Sequence, residues 1–394
     1  MNFDFAPEEV AFREEVERFL AENASPDVMD PNPEQLSQTV ETPAKRAFMR
    51  KVAERGWLGM SWPKQYGGQE RSGIYDFMLT EALSRVGAPQ CGKGVGIVGK
   101  TIIRHGNEKL KQYFLPRIIR GEVEFAIGYS EPQAGSDAAN MQLRAERDAA
   151  RGGWVLNGQK VWTTSAHFAD WYWVGARTDP NAKKHQGITL FLIRMDDPGL
   201  EIHPTWTIGD ERTNEVFFDD VFVSDDFVVG ELNRGWTYIC EALDLERFAM
   251  MPVGPLERKV ESLCDHVRTA ERDGVPLRED PGARSRIARV VTDLEVSRML
   301  QRRVIAAALR DGVPTVESSQ YKLFMNEAGQ RVADAALDLL GPAGQLKPGA
   351  SDAPVGGRFE RSYRYTVVDT IGGGASEIQK NIIARRGLGL PPSY

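Results

Sequence analysis

Residues 154–164 read WVLNGQKVWTT. Two apolar runs flank the dipeptide Asn157-Gly158, which favours the type I′ turn of a tight hairpin because such a turn needs positive φ at both central residues. Further short segments typical of strands are residues 123–130, 170–177, 188–194 and 215–223. Because no helical pattern separates these segments, they predict an antiparallel β-barrel or sandwich.

Helical periodicity precedes and follows this β region. Apolar residues recur at i, i+4, i+7 and i+8 in Phe12, Val16, Phe19 and Leu20, one stripe of an amphipathic helix. Further helices are predicted at residues 43–55, 73–86 and 108–120, with a glycine-rich stretch between the last two. Four long segments then predict a helix bundle: residues 236–250, 255–273, 283–310 and 315–340. The expected fold is an α+β multidomain protein, with a helical domain over 1–121, the β domain over 122–232 and the bundle over 233–394.

Composition excludes several functional classes. The 394 residues include 49 Lys and Arg against 56 Asp and Glu, a net charge of −7 that argues against nucleic-acid binding. No apolar stretch approaches the ~18 residues of a membrane span, and no secretory signal is visible. The three cysteines have no CxxC spacing and the five histidines are isolated, so we expect a cytoplasmic protein without a metal site.

The β region contains the first candidate site. Trp162 and Thr164, two positions apart on one predicted strand, should present an indole and a hydroxyl on the same face to a flat heteroaromatic ligand. Residues 130–137 (SEPQAGSD) form a turn of small residues, whose backbone N–H groups and Ser136 could bind a phosphate. Alternatively, Trp162 is a core aromatic residue and Ser136-Asp137 caps a turn.

A second candidate is Glu246, which has Leu243, Leu245 and Phe248 near it in a predicted helix. Apolar surroundings raise the pKa of a carboxyl group, as a general base working near neutrality requires. The alternative is an amphipathic helix that exposes Glu246 and Arg247 to solvent.

The third candidate is the stretch from Asp369 to Lys380, in which three glycines precede a helix. The unsatisfied amides of a helix N-terminus can bind an anion, whereas the alternative is a hinge capped by Ser376. The stretch lacks the GxGxxG pattern after a strand, so it does not predict a Rossmann fold.

Taken together and in order, these motifs resemble the acyl-CoA dehydrogenase family of FAD enzymes. The matching stretches span nearly the whole chain: 62–68 (WPKQYGG), 130–137 (SEPQAGSD), 157–164 (NGQKVWTT) and 374–379 (GASEIQ). The resemblance implies a helical N-terminal domain, a central β domain and a C-terminal four-helix bundle. It also implies a bound FAD, an acyl-CoA substrate and an electron-transfer flavoprotein as electron acceptor.

The resemblance further implies roles for individual residues. Cofactor contacts are implied for Ile127, Tyr129, Ser130, Gly135, Ser136, Trp162, Thr163, Thr164, Ala375, Ser376 and Glu377. Substrate contacts are implied for Ser136, Asp244, Leu245, Arg247, Gly373 and Gly374.

The catalytic glutamate of the family occupies one of two positions. In many members it lies in the loop before the final helix, where this chain has Gly373. In isovaleryl-CoA and long-chain relatives it precedes the helix arginine, and Glu246 stands there. The resemblance therefore implies that Glu246 removes the α-proton of the thioester while the β-hydrogen leaves as hydride to FAD; Glu377 is the competing carboxylate.

Two stretches depart from the family pattern. The flavin-binding R-x-x-F-G stretch reads AERDG over 270–274, and the Gln-x-x-Gly-Gly stretch reads DLLGP over 338–342. Because both reach the FAD of a neighbouring subunit in the family, a homotetramer or homodimer is expected but a heterotetramer is possible, as in some similar mycobacterial dehydrogenases for steroid side chains. A flavin oxidase or monooxygenase of the same fold, and a non-catalytic subunit, are the alternative functions.

Overall fold

The computed structural model describes residues 5–35, 39–246, 251–311 and 314–391, with the side chains of 244–246, 309 and 311 outside that description. Its N-terminal part is helical, as predicted. The helices are α1 (Pro7–Glu22), α2 (Pro43–Glu54), α3 (Gly73–Arg85), α4 (Gly99–His105) and α5 (Glu108–Ile119). Side-chain oxygens of Thr42, Ser72 and Asn107 cap α2, α3 and α5 by accepting hydrogen bonds from backbone N–H groups of their first turns.

The glycine-rich stretch before α4 forms a π-helical turn, Gly94–Val98. Gly99, the first residue of α4, permits close packing directly after this turn, since a Cβ there would lie 2.2 Å from the ring of Trp62. This turn and the helices around it pack against the β domain. Trp62, Ile97, Phe114 and Trp173 are buried in their shared core.

The β domain is one large sheet. Its strands are β1 (Phe125–Gly128), β2 (Arg144–Asp148), β3 (Gly153–Lys160), β4 (Trp171–Arg177), β5 (Ile188–Arg194), β6 (Leu200–Trp206), β7 (Arg212–Ser224) and β8 (Val228–Val229). The strand order is β6-β7-β3-β2-β4-β5-β8, and β1 pairs with β4. Most pairs are antiparallel, as expected, but β4 pairs in parallel with β1 and with β2, so the sheet is mixed.

The predicted hairpin at Asn157-Gly158 is wrong. Strand β3 continues through both residues and pairs with β7, with a register shift between Leu156 and Gly158. Gly158 has φ of 141°, and Asn157 exchanges two 2.9 Å hydrogen bonds with Asp220 on β7. The dipeptide therefore supports an irregularity inside a strand pair, where a local kink also uses a glycine.

The C-terminal part is again helical. It contains α6 (Gly235–Glu246), α7 (Gly254–Thr269), α8 (Pro281–Asp311), α9 (Thr315–Leu340), α10 (Arg358–Asp369) and α11 (Ser376–Ile382). A short hairpin of β9 (Glu271–Arg272) and β10 (Val275–Pro276) follows α7.

The bundle differs from the prediction in its membership. Leu263, Leu294, Val332 and Phe359 share one core, so α7, α8, α9 and α10 are the helices of the bundle. Helix α6, predicted as the first of the four, instead buries Tyr238, Ile239 and Ala242 against α4, α5, β4 and β5.

Candidate active site

Residues 161–164, the Trp162 segment, follow β3 and include an exposed indole. The strand ends at Lys160, and Trp162 lies beyond it in an irregular segment with φ of 59°. The prediction that Trp162 and Thr164 share a strand is therefore wrong, because the left-handed backbone at Trp162 ends the extended conformation. Alternation nevertheless persists: Trp162 is 61% exposed, Thr163 is buried and Thr164 is half-buried.

Thr163 anchors this segment to the sheet. Its backbone N–H donates to the carbonyl of Asn214 at 3.0 Å, and its own carbonyl accepts from Asn214 Nδ2 at 2.8 Å. Its hydroxyl lies 2.8 Å from the Tyr172 hydroxyl, in the core. Thr163 thus faces inward and holds its two neighbours outward.

Residues 130–137 lie directly beside this segment. Val161 N–H donates to the carbonyl of Ser130 at 3.0 Å, and Glu131 and Ala134 exchange two 3.0 Å backbone hydrogen bonds that close a tight turn. The turn leaves Gly135 and Ser136 exposed, and a Cβ added at Gly135 would meet no atom within 4 Å. The structure therefore brings residues 130–137 and the Trp162 segment together, as the first candidate site requires.

Strand β1 leads into this turn. Ile127 and Tyr129 are half-buried at its end, and the Tyr129 hydroxyl accepts a 2.7 Å hydrogen bond from Trp173 Nε1. These contacts orient the strand relative to β4 and fix the point at which the turn leaves the sheet.

A buried ion pair supports both motifs from beneath. Lys160 Nζ donates to Glu131 Oε1 at 2.7 Å, and the same carboxylate accepts from the backbone N–H of Gln142 and Leu143. Burial lowers the pKa of Lys160 to about 8, and the Glu131 carboxylate opposes that shift. Sequence reasoning missed the role of this pair, although both residues lie inside the matched motifs.

The helix that carries Glu246 packs between the N-terminal helices and the sheet. Glu246 is the last residue of α6, which contacts β5 and the π-helical turn Gly94–Val98. The side chains of Glu246, Asp244 and Leu245, and the whole of Arg247, lie outside the described residues. On the same helix, Glu241 Oε2 lies 2.7 Å from His105 Nε2, and this contact connects α6 to α4.

The third motif forms a fixed turn on the helical side. Gly373 and Gly374 have φ of 63° and 97°, where a side chain is disfavoured. Gln379 Nε2 donates to the carbonyl of Gly374 at 3.0 Å, and Ser376 N–H donates to that of Thr370, also at 3.0 Å.

Residues of α9 hold the start of the same turn. Asn326 Nδ2 and Lys322 Nζ both donate to the carbonyl of Asp369, at 2.5 and 3.3 Å. Burial raises the pKa of the Asp369 carboxyl to about 7. The turn and α11 therefore contact helix α9 of the bundle. The Trp162 segment, by contrast, is anchored to the sheet.

Several groups of these motifs suit an organic cofactor. The Ser376 hydroxyl is buried without a hydrogen-bond partner among the described residues, the indole of Trp162 is open to stacking, and Gly135 leaves space for close approach. Ala375 is half-buried and Glu377 exposed at the start of α11. No group of three His, Cys, Asp or Glu side chains within the described ranges could hold a metal ion.

A cavity of about 200 Å³ lies between the N-terminal helices and the β domain. Part of its wall is apolar, formed by Trp57, Leu79, Ile97 and Phe125. The polar part includes Asp76, Gln90, Lys93, Lys100, Glu124 and Ser165. Ser165 directly follows Thr164 in the chain, so the cavity adjoins the Trp162 segment.

Comparisons with known proteins agree with this arrangement. Three family models match: "Acyl-CoA dehydrogenase, N-terminal domain" over residues 6–122, "middle domain" over 126–221 and "C-terminal domain" over 233–388. Acyl-CoA dehydrogenase FadE26 of Mycobacterium tuberculosis is 31% identical over 398 residues, covering 99% of each chain.

Two solved structures are similar over their full lengths. One is titled "Tcur3481-Tcur3483 steroid ACAD", with a TM-score of 0.89, 32% identity and 100% coverage of both chains. The other is the ChsE4-ChsE5 complex of Mycobacterium tuberculosis, with a TM-score of 0.89, 30% identity and the same coverage.

None of the helices in the described ranges is long and apolar enough to cross a membrane.

Proposed function

Because this chain belongs to the acyl-CoA dehydrogenase family of oxidoreductases, we propose that it converts an acyl-CoA thioester to the trans-2-enoyl thioester, with Glu246 as base. The observation that carries the proposal is the complementary occupancy of the two positions of the family base. The turn before α11 has Gly373, which offers no proton acceptor, whereas α6, which contacts the π-helical turn that lines the cavity, ends at Glu246.

FAD is the proposed cofactor, and when bound it supplies the acceptor for the hydride. Trp162 would stack on the flavin, and Thr164 and Ser130 would lie at the ring. Ser136 and Gly135 would hold the pyrophosphate, and Ala375 to Glu377 the distal part. What supports this set is the exposed indole and the open backbone at Gly135.

The chain's own groups have defined tasks in the reaction. Glu246 accepts the α-proton on its carboxylate. The helix that carries it, α6, contacts α4, the π-helical turn and β5. Backbone N–H groups near Gly373 and Gly374 would donate to the thioester carbonyl and stabilise the negative charge that develops there. The hydrogen bonds from Asn326 and Gln379 keep this turn in place.

The test compares two carboxylates. Glu246→Gln should keep FAD bound and lower acyl-CoA-dependent dye reduction at least about 100-fold, the contribution expected of a general base. Glu377→Gln, which alters the competing carboxylate, should retain turnover. A panel of acyl-CoAs is screened first by anaerobic bleaching of the flavin. Full turnover by the Glu246→Gln protein would refute the assignment of the base.

The electron acceptor is proposed to be an electron-transfer flavoprotein. An oxidase or monooxygenase of the same fold would use oxygen directly. Mixing the substrate-reduced protein with air-saturated buffer separates the two, because rapid reoxidation by air supports an oxidase and slow reoxidation supports a dehydrogenase.

Assembly with a second, different chain is favoured by one observation. Arg272, in the altered 270–274 stretch, donates to the carbonyls of Asp338 and Leu339 at 2.9 and 2.7 Å, in the altered 338–342 stretch. The two altered stretches therefore hydrogen-bond to each other within one chain. Both similar structures carry titles that name two proteins. Measuring FAD per chain in the isolated protein tests this: one FAD per chain supports a homo-oligomer, and little or none supports a mixed assembly.

A further inference from the structure

The cavity beside the Trp162 segment contains charged groups that the proposed reaction does not use. Its wall combines Lys93, Lys100, Asp76 and Glu124 with apolar side chains. All four are half-buried, so they face the cavity with restricted access to bulk water. Hydrocarbon placed against such groups removes their remaining water without replacing its hydrogen bonds, which is unfavourable.

The first couple is Asp76 and Lys100. Asp76, on α3, interacts with the hydroxyl and backbone of Ser61 and with the charge of Lys100 on α4. Burial raises the pKa of Asp76 and lowers that of Lys100, and each charge opposes the shift of the other. This part of the cavity is therefore polar and contains one acidic and one basic side chain.

The second couple lies on the side of the β domain. Lys93 Nζ donates to Ser165 Oγ at 2.9 Å. Burial raises the pKa of Glu124 to about 7, the charges of Arg46 and Lys93 oppose that shift, and the charge of Asp170 adds to it. The Glu124 carboxylate lies against Gly92, where an added Cβ would be 2.7 Å from Oε2. Burial raises the pKa of the Cys91 thiol, and the charges of Asp76 and Glu124 raise it further, so Cys91 lies near both carboxylates.

We propose that the acyl group of the substrate carries a neutral oxygen substituent, a ketone or a hydroxyl, which binds between these two lysine–carboxylate couples. The inference rests on the proposed function and goes beyond it by naming the substrate class. A lysine ammonium donates to a ketone oxygen, and a carboxylate accepts from a hydroxyl.

Gly96 provides a way to test whether the cavity holds the acyl group. It lies in the π-helical turn and lines the cavity, and a Cβ added there would meet no atom within 4 Å. Gly96→Leu therefore adds a side chain to the cavity at a position with room for it. It should lower kcat/KM for every bulky acyl-CoA, with or without oxygen.

The decisive experiment compares matched thioesters on the flavin-loaded protein. The three substrates are 3-cyclohexylpropanoyl-CoA, its 4-oxo derivative and its 4-hydroxy derivative. We expect kcat/KM for an oxygenated member to exceed that for the hydrocarbon at least about 100-fold, since a site with buried polar groups rejects an analogue that leaves them unpaired. The oxo and hydroxy arms show whether the lysines or the carboxylates dominate.

Variants then assign the preference to the couples. Lys100→Met removes the ammonium with little change in length, and the oxygenated-to-hydrocarbon ratio should fall at least tenfold. Lys109→Met, at an exposed position of α5, is the matched control and should leave the ratio unchanged. Calorimetry of the same thioesters with the Glu246→Gln protein measures the preference as a Kd ratio, independently of turnover.

The outcomes separate the two proposals. If the three thioesters bleach the flavin with equal efficiency, the inference is wrong and the dehydrogenase proposal stands. If no acyl-CoA of any kind bleaches the flavin, the dehydrogenase proposal is wrong and the inference fails with it. A wild-type preference for the oxygenated thioesters supports the inference even if the Lys100→Met protein does not fold.

Discussion

Lys160 and Glu131 form a buried ion pair, with 2.7 Å between Nζ and Oε1. Both side chains are almost completely excluded from solvent, and each belongs to a different segment proposed to bind the flavin. The pair therefore joins the 130–137 turn to the segment with Trp162, together with the backbone hydrogen bond from Val161 to Ser130. The local geometry of the proposed cofactor site depends on this contact.

Replacing Glu131 with Gln should destabilise the protein strongly. Removing one partner leaves a buried ammonium group without its counter-charge, which costs about 3–5 kcal/mol. Urea unfolding followed by circular dichroism measures the loss. Glu146→Gln on β2, whose carboxylate is exposed and pairs with Arg144, is the matched control and should change stability by less than about 0.5 kcal/mol. Equal effects of the two substitutions would contradict the structural role of the buried pair.

Replacing Trp162 with Ala should weaken FAD binding about tenfold while leaving stability nearly unchanged. The indole is 61% exposed, so little of its packing energy is available to the fold, whereas stacking on a flat ring is worth about 0.5–1.5 kcal/mol. Flavin fluorescence titration measures the affinity. Trp206→Ala, at an indole that is 67% exposed on β6, is the control for losing an exposed tryptophan. An unchanged flavin affinity in Trp162→Ala would show that the indole does not stack.

Patterns with a local physical cause were predicted well from the sequence. The helix at Pro43 and the helix at Glu108 begin at a proline or an asparagine cap, and their apolar residues recur with a helical period, so both were correctly placed. Strands with continuous apolar runs, such as β4 and β5, were placed correctly for the same reason.

Features that depend on distant partners were missed. Asn157-Gly158 has the composition of a hairpin turn, but pairing with β7 keeps it inside a strand. The amphipathic face of α6 could not show whether it packs on the bundle or on the N-terminal helices, since both surfaces are apolar. The pairing of Glu131 with Lys160 joins residues 29 positions apart, which periodicity cannot detect.

Glu81 should make stability depend on pH in a defined direction. Its carboxylate accepts hydrogen bonds from Val253 N–H and Gln301 Nε2, and burial raises its pKa from 4.5 to about 7. Between pH 4.5 and 7 the native state therefore holds a proton that the unfolded state has released. The stability contribution of this group is present at low pH and is lost as pH rises towards 7.

The variant Glu81→Gln should remove that part of the pH dependence. Chemical unfolding at a series of pH values from 4.5 to 8 should give a difference between wild type and variant that changes by roughly 1–3 kcal/mol, in the direction of wild-type stability falling as pH rises. Glu54→Gln, at an exposed position at the end of α2, should give a constant difference. A constant difference for Glu81→Gln would mean that its pKa in the folded protein is near 4.5.

Gln379→Leu should separate catalysis from stability at the glycine turn. The side chain is buried, and its Nε2 donates to the carbonyl of Gly374 while its Oε1 has no hydrogen-bond partner among the described residues. Removing an amide that is only half satisfied should cost about 1 kcal/mol of stability. The turn would then lose its tether, and donors proposed for the thioester carbonyl would be less well positioned, so kcat should fall about tenfold.

Gln330→Leu on α9 is the matched control, because its Nε2 donates to the Thr366 carbonyl within the bundle, away from the turn. It should lower stability by a similar amount and leave kcat unchanged. Dye reduction at saturating acyl-CoA and urea unfolding give the two quantities for both variants. If kcat falls equally in Gln379→Leu and Gln330→Leu, the loss reflects general weakening of the bundle and the tether to Gly374 has no specific role in catalysis.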